Sequence, residues 1–371
     1  MDQVSNEKIK YRFIYEALRQ NILRGVYQDG QRIPTENELA KEFSTSRPTV
    51  ARALARLRKE GYLERRAGSG TYVRYTNNSK GILSFGLMIP GLGESEIFEP
   101  ICAHMAQRTE EDAFRLIWSG SISENADDRR SHIETLARSY IQQKLDGVFF
   151  VPLELTTEKD TVNIRIVELL GKANIPIVLL DRDVTTFPVR SKYDLVGVDD
   201  VRIGYLMTQH LIDHGCTNLR FVARPYSAPT VQLRIMGHMG ALHEAGLTSD
   251  PNNRDTIRIG NVEDHDFLRG LIPGEKSVGL VCANDATAAR VMHHLAEMGY
   301  DIPVQVRIVG VDDVKYVKFL RVPLTTYRQP TKDIATAAIK LMLSRVIDAK
   351  APAQTIHLDG ELVVRKSCGC R

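Results

Sequence analysis

Long apolar runs are missing from this chain. No stretch of its 371 residues approaches the ~18 to 20 apolar residues of a membrane span, and the start, MDQVSNEKIK, is polar with no secretory signal core. These absences predict an intracellular, cytoplasmic protein. Cysteine is sparse: Cys102, Cys216, Cys282, Cys368 and Cys370 are odd in number and scattered, which fits reduced thiols better than a disulfide framework. Cys368-Gly-Cys370 has no second cysteine or histidine pair near it in sequence, so no zinc site is expected there. Catalytic signatures are also absent. The histidines form no H-E-x-x-H, and His293-His294 are neighbours on a predicted helix, about 100° apart, so they do not chelate as an i, i+4 pair. Gly91-Leu-Gly93 begins like a dinucleotide loop, but Glu96 stands where the third glycine would be. No repeat or low-complexity tract occurs. The expectation is a protein without catalytic residues, metal or cofactor.

What is present begins with charge. Residues 1 to 75 hold 15 Lys+Arg against 9 Asp+Glu, while the remainder holds 34 against 37. The basic excess is therefore confined to the first fifth of the chain, where counterion release on binding phosphate would use it. Within that segment, Thr35 followed by Glu38 is a capping box that predicts a short helix ending near Phe43. After a turn at 44–48, Ser46 or Arg47 caps a second helix with Pro48 in its first turn, running to about Glu60 and stopping at Gly61. Val50, Leu54 and Leu57 face a core at helical spacing, and Arg52, Arg56 and Lys59 repeat on another face. Tyr62 to Arg65 and Thr71 to Val73 read as two strands around Gly68-Ser69-Gly70, with Arg65 and Arg66 before the tip. Helix, turn, helix and wing together make a winged helix-turn-helix, whose second helix enters the DNA major groove; Ser46, Arg47 and Thr49 are then the residues nearest base edges.

Residues 8 to 74, including the leading helix Ile9 to Leu23 and the segments PTENELA, SRPTV and GSGTYV, resemble the DNA-binding domain of the GntR regulator family. The resemblance implies that Arg47 and Thr49 contact bases or adjacent phosphates, that Gly68 lies toward the minor groove, and that Arg52 and Arg66 hold the backbone. Family members often carry Arg where this chain has Asn37 and Ala51. Asn37 still reads adenine through N6 and N7, whereas Ala51 offers only an apolar contact, so base preference there should differ from the typical member.

Beyond a polar linker at 76–80, TNNSK, about 290 residues exceed one ordinary core. Apolar runs such as ILSFGLMI, GVFFVPL, IPIVLLD, LRFVA, VGLVCA and VRIVGVD alternate with amphipathic stretches. Runs apolar throughout are strands buried on both faces, hence parallel sheets with right-handed crossovers. The predicted fold is α/β: an N-terminal α+β winged helix-turn-helix (1–75), then a two-lobed, doubly wound domain (81–371). Lobe 1 is assigned about 81–190 and 329–347, lobe 2 about 191–328 and 348–371. Such lobes bind ligands beyond the carboxyl ends of their strands. Asp181-Arg182, Asn284-Asp285 and Asp312-Asp313 end predicted strands, and Arg234 lies just inside a helix. Carboxylate and amide acceptors with an Arg fork suit a polyhydroxylated neutral ligand, although Asp and Asn after a strand also serve as helix caps.

The segments LDGVFFVPLEL, IPIVLLDRD, VGVDDVRIGYLMTQHLIDHG, QLRIMGHMGAL, VCANDATAARVMHHLAEMG, VRIVGVDD, PLTTYRQP and ELVVRKSCG resemble the effector domain of LacI/GalR regulators, itself similar to periplasmic sugar-binding proteins. The resemblance implies effector contacts from Phe98, Asp181, Arg234, Asp285 and Gln329, although GLGESEIFEP lacks the family's Asn-Pro before the aromatic. Joined, the two resemblances imply a sugar-responsive regulator, a repressor that binds a pseudo-palindromic operator as a homodimer. Pentoses and deoxyhexoses such as arabinose or fucose are candidate effectors; a sugar phosphate, a partner protein or an activating role remain open alternatives.

Overall fold

The computed structural model describes residues 11–370 except 12, 20, 23–25, 67, 75–81, 90–95, 110–111, 113, 119–125, 250–254, 273 and 275–276. The expected linker at 76–80, the Gly91-Leu-Gly93 loop and parts of the leading helix lie outside the described residues. Two compact units can be distinguished: residues 1–85 with 106–117 and 343–350, and residues 86–105, 118–342 and 351–371.

In the first unit, α1 is helical at 11, 13–19 and 21–22. It is followed by α2 (Glu36–Glu42), α3 (Arg47–Lys59), β1 (Leu63–Arg66) and β2 (Gly70–Val73). The α2 start is the predicted capping box: Glu38 N–H donates to Thr35 Oγ1 at 3.3 Å, and Thr35 N–H donates to Glu38 Oε2 at 2.7 Å. Ser46 is the cap of α3, with Pro48 in the first turn. Ile14, Leu18, Leu39, Val50, Leu54, Leu57, Leu63 and Val73 form one buried cluster. Burying side chains of this size stabilises by about 1.5–3 kcal/mol each. The wing has more than the two strands expected: Arg32 pairs with Tyr72, and Ile33 N–H donates to Thr71 O at 3.0 Å, so β2 is flanked on both sides. A buried ion pair also lies in this unit. Asp112, 2% exposed, accepts from Arg19 Nη1 at 3.2 Å and from Arg108 Nη2 at 2.6 Å.

The remaining elements are β3 (Leu83–Met88), α4 (Phe98–Gln107), β4 (Phe114–Trp118), α5 (Ala126–Gln142), β5 (Gly147–Phe150), α6 (Lys159–Lys172), β6 (Ile177–Leu180), β7 (Asp194–Val198), α7 (Asp200–Asp213), β8 (Leu219–Ala223), α8 (Pro229–Glu244), β9 (Ile257–Ile259), α9 (His265–Leu271), β10 (Val278–Cys282), α10 (Asp285–Glu297), β11 (Val306–Asp312), β12 (Thr325–Arg328), α11 (Thr331–Ile347), β13 (Thr355–Leu358) and β14 (Glu361–Val363). They build two six-stranded sheets, ordered β13-β7-β6-β5-β3-β4 and β14-β12-β11-β10-β8-β9. Every residue of β5, β6, β8 and β10 is buried, as strands covered on both faces must be.

The lobe boundaries differ from expectation. β7 pairs parallel with β6 (Val178↔Asp194) and β13 pairs parallel with β7, so Asp194–Val198 and Thr355–Leu358 belong to the first sheet and not to the second lobe. The chain first leaves that sheet at Asp199. An apolar run reports burial but not which neighbour supplies its hydrogen bonds, and the boundary near residue 191 failed for that reason.

The second lobe contains one wholly enclosed histidine. His238 lies between Thr208 Oγ1 and Thr256 Oγ1, each 2.8 Å from a ring nitrogen, and is 0% exposed. Burial pushes its imidazole down from the ordinary 6.5 to about 3, with Arg220 adding to the effect. Thr208 Oγ1 also lies 2.7 Å from Gly204 O and Thr256 Oγ1 2.9 Å from Leu219 O, so a neutral ring donates to one hydroxyl and accepts from the other only when that hydroxyl turns from its carbonyl. The unfolded chain takes up this proton near pH 6.5 and the folded protein only near 3, so the folded state binds fewer protons throughout that window. The stability contribution is complete above the unfolded value and is lost as pH falls. His238→Gln should flatten the dependence of the urea midpoint on pH between about 4 and 7; equal slopes in parent and variant would assign the titration to other groups.

Candidate nucleic-acid interface and effector site

Four basic residues of the first unit, Arg32, Arg47, Arg65 and Arg66, converge on one concavity. A cavity of about 270 Å³ between α3 and the wing is lined by Arg32, Asn37, Arg47, Arg65, Arg66 and Gly68, among others. Arg47 is exposed and steadied by Glu36, whose Oε2 accepts from its Nε at 3.0 Å. Arg66 donates to Glu64 at 2.6 Å and its guanidinium lies 4.5 Å from the centroid of the Tyr72 ring. Gly68 sits at the tip with φ +71 and nothing within 4 Å of an added Cβ, an open left-handed position that favours glycine. Arg52 is exposed on α3, over the Tyr11 ring at 5.1 Å.

Thr49 departs from expectation. It is 2% exposed; its N–H donates to Ser46 Oγ at 3.4 Å and the two hydroxyls lie 2.8 Å apart. Both residues are engaged in closing the helix start, and Thr49 faces the core beside Val50 and Ala53, so the exposed residues at this helix start are Ser46, Arg47 and Pro48. Arg32 is the basic residue that the sequence reading missed. It precedes the capping box and only the pairing of its strand with Tyr72 brings it to the concavity.

The second cluster gathers charged groups at the carboxyl ends of strands from both sheets. Two glycines make its frame. A Cβ on Gly204 of α7 would meet Arg234 O at 1.9 Å, and one on Gly237 of α8 would meet Val201 O at 1.9 Å, so the helices cross with their backbones in contact. That crossing sets Arg234 of α8 against Asp200, the first residue of α7: Nε donates to Oδ1 at 2.8 Å, and Nη1 donates to Ala283 O at 2.6 Å. The guanidinium also faces Asp312 and Asp181. Gln329 Nε2 donates to Asp312 Oδ1 at 2.8 Å. On the first-sheet side, Arg182 pairs with Glu154 at 2.7 Å and lies over the Phe98 ring at 5.6 Å. Arg182 Nε is buried without a hydrogen-bond partner, 3.6 Å from Asp181 Oδ2. Glu154 Oε2 reaches the other lobe, accepting from Ala228 N–H at 3.2 Å, and Leu155 N–H donates to Tyr226 O at 2.7 Å.

Four carboxyl groups, Glu154, Asp181, Asp200 and Asp312, thus face two guanidinium groups. Burial pushes Asp200 and Asp285 up to about 7 and Asp312 well above the usual carboxylate range, while Arg182 beside Glu154 holds that carboxyl below its ordinary value. Leu155, Asp181, Tyr226, Asp312 and Asp313 all have positive φ between 54 and 126. Non-glycine residues held there cost about 1–3 kcal/mol each, and such strain gathers where ligands bind.

The structure brings Asp181, Arg234 and Gln329 into this cluster and places Asp285 and Phe98 behind it. Asp285 is 0% exposed, and its carboxylate accepts from Val314 N–H at 3.1 Å and Thr326 Oγ1 at 2.6 Å. It braces the β11 and β12 ends, because Asn284 has taken the capping position and turned the next side chain inward. Phe98, 2% exposed, backs Arg182. Glu154 and Asp200 were missed. For Asp200 a signal existed, since Asp199-Asp200 offers two carboxylates where the α7 cap needs one. Gly237→Val should separate α7 from α8 and break the Arg234–Asp200 contact, lowering stability by more than the ~1–3 kcal/mol of ordinary overpacking because backbone must move; a variant within 1 kcal/mol of the parent in urea titration would contradict this close crossing.

Residues 10–73 match the family described as "Bacterial regulatory proteins, gntR family", and residues 208–368 match "Periplasmic binding protein-like domain". Over 373 residues, 96% of each chain, the sequence is 25% identical to an arabinose metabolism transcriptional repressor of Halalkalibacterium halodurans. It is 26% identical over 279 residues to the HTH-type transcriptional repressor PurR of Pasteurella multocida, covering 73% of this chain and 78% of PurR. In fold it is similar to the transcriptional regulator CelR in complex with cellobiose (TM-score 0.64, 20% identity, 90% of this chain and 100% of that one). A LacI family regulator from Enterococcus faecium with bound ribose is comparable (TM-score 0.61, 23% identity, 76% and 98%). These relatives are transcriptional regulators and not enzymes, and among the described residues no helix is long and apolar enough to cross a membrane. The chain is a transcriptional regulator in which a gntR-family DNA-binding domain is joined to a LacI-type, periplasmic-binding-protein-like effector domain.

Proposed function

We propose that this regulator is a repressor that holds a pseudo-palindromic operator as a homodimer and releases it when a neutral monosaccharide binds between the lobes of the effector domain. The carrying observation is the charge balance of the cluster at the strand ends. Glu154, Asp181, Asp200 and Asp312 offer carboxyl oxygens to hydroxyls, and Arg182 Nε is a buried donor without a partner, so a ligand rich in hydroxyl groups matches what is offered. A sugar phosphate would bring its dianion against those carboxylates, with both guanidinium groups already paired, and should bind more weakly than the free sugar. The relatives named as repressors support the sign of regulation, and the end-to-end match to an arabinose metabolism repressor makes pentoses the first ligands to test, with fucose as the deoxyhexose.

Arg47, Ser46 and Asn37 are assigned to the base-reading edge, Arg66 and Gly68 to the wing contact, and Arg52 to the phosphates. Arg47→Ala should cost about 1–3 kcal/mol on the operator and relax base preference, whereas Arg52→Ala should weaken all sequences alike and reduce the salt slope by about 1. Anisotropy titrations on operator and scrambled duplexes across a salt series separate the two; a changed base preference in Arg52→Ala would remove its positioning role.

Among effector residues, Arg234 makes a poor test, because its removal leaves Asp200 and Asp312 buried without their partner, at about 3–5 kcal/mol. Asp181→Asn preserves shape and lies at the edge of the cluster. It should weaken sugar binding roughly 10- to 150-fold, the loss of a hydrogen bond to a charged group, while operator affinity without sugar is unchanged. Allosteric coupling is reciprocal, so the factor by which sugar weakens operator binding must equal the factor by which operator weakens sugar binding. Calorimetry giving the same sugar affinity with and without operator would rule out the proposed release.

A further inference from the structure

The C-terminal strap carries a cluster that the regulator reading does not use. After β14 the chain runs beneath the second sheet, at the amino-terminal ends of its strands: Ile308 N–H donates to Ser367 O at 2.8 Å, Ser367 Oγ donates to Ile308 O at 2.6 Å, and Thr325 N–H donates to Ser367 Oγ at 2.8 Å. This pairing fixes the two residues that follow. Cys368 is 0% exposed and accepts from Thr325 Oγ1 at 3.1 Å; Cys370 is half-buried, with its sulfur 2.9 Å from that of Cys368. His210, in the last turn of α7 and 8% exposed, lies with Nε2 3.4 Å from Cys370 Sγ. The three ligand atoms lie within 4.8 Å of one another, although 158 residues separate the histidine from the first of the cysteines.

We infer that His210, Cys368 and Cys370 form a binding site for a thiophilic divalent cation, Zn²⁺, with a water molecule in the fourth position. Soft thiolate donors combined with an imidazole nitrogen select Zn²⁺ over hard cations such as Mg²⁺ or Ca²⁺. Zinc bonds of about 2.3 Å to sulfur and 2.0–2.1 Å to nitrogen set ligand-to-ligand edges of roughly 3.5–3.8 Å. The His210–Cys370 edge already has nearly that length, and the Cys368–Cys370 edge reaches it by a side-chain shift of under about 1 Å, which half-buried Cys370 is free to make. The two cysteines sit on the strap and the histidine on α7, so the ion would tie the chain end to the helix whose first residue, Asp200, holds Arg234. The site is separate from the effector cluster: Thr325 and Ile308 are at the starts of β12 and β11, whereas Asp312 and Gln329 lie at their far ends.

The test uses the full-length, untagged protein purified with reductant and exposed to Zn²⁺ alone. Elemental analysis after exhaustive dialysis should find one zinc per chain, and competition with a chromophoric chelator should show affinity falling by more than ~100-fold in Cys370→Ser, beyond what loss of an outer-shell partner causes. His210→Gln should behave alike, while Cys102→Ser, on α4, should keep full affinity. Co²⁺ in place of Zn²⁺ should give a thiolate charge-transfer band that Cys370→Ser loses. Because Cys370 is only half-buried and serine is nearly isosteric with it, its variant should keep the parent melting profile without metal, so the loss is not one of folding. Substoichiometric zinc in the reduced parent, or undiminished affinity in Cys370→Ser, would overturn the inference; the first result together with a Cys368–Cys370 disulfide in unreduced protein would make the pair a redox couple instead.

Discussion

Arg234 is the group on which the effector domain's ligand-binding end depends. Its side chain is 5% exposed and stands among Asp200, Asp312 and Asp181, whose carboxyls burial drives toward neutrality and its positive charge draws back. An isolated buried ion is costly, and a buried pair is sustained only when geometry and additional hydrogen bonds compensate desolvation. Here that geometry comes from a backbone-to-backbone crossing of α7 and α8, which Gly204 and Gly237 permit, and the additional bond comes from Ala283 O. Local strain at Asp181 and Asp312, the bracing by Asp285 and the amide of Gln329 all keep carboxylates pointed toward this one cation.

This arrangement links the two lobes electrostatically and explains how a ligand could bias their relation. Asp181 stands on the first sheet and Arg234 with Asp312 on the second, while Glu154 couples Arg182 to the α8 amino terminus through Ala228. A molecule that contributes hydroxyls to both sides interacts with the lobes together and not with either alone, which is the differential affinity that any population shift requires.

How legible these sites were depended on the range of the interactions involved. The capping box at Thr35 and Glu38, the Ser46 cap and the α3 core stripe are local in sequence, and each appears where its residue types demand. Thr49 is expected near base edges because it lies at the start of the second helix, but position along a helix does not say which way its first turn faces, and the side chain is buried. Asp285 is the same lesson in the effector domain: a carboxylate after a strand can serve a ligand or a neighbouring loop, and only the positions of Val314 and Thr326 decide between them. Arg32, Glu154, Asp200 and His210 gained their significance entirely from partners distant in the chain.

The sequence by itself determined the winged helix-turn-helix, the two-lobed α/β class, the division of charge between them, and the carboxylates that end the strands. Periodicity, capping and burial along a strand are properties of neighbours within a few residues, and they survive without a tertiary context. Only the tertiary structure decided which sheet receives β7 and β13, which aspartates surround Arg234, and that Cys368 and Cys370 meet a histidine of α7. Those outcomes depend on strand pairing and helix crossing between segments tens to hundreds of residues apart, whose contact energies are set by three-dimensional packing and leave no periodic mark in the chain.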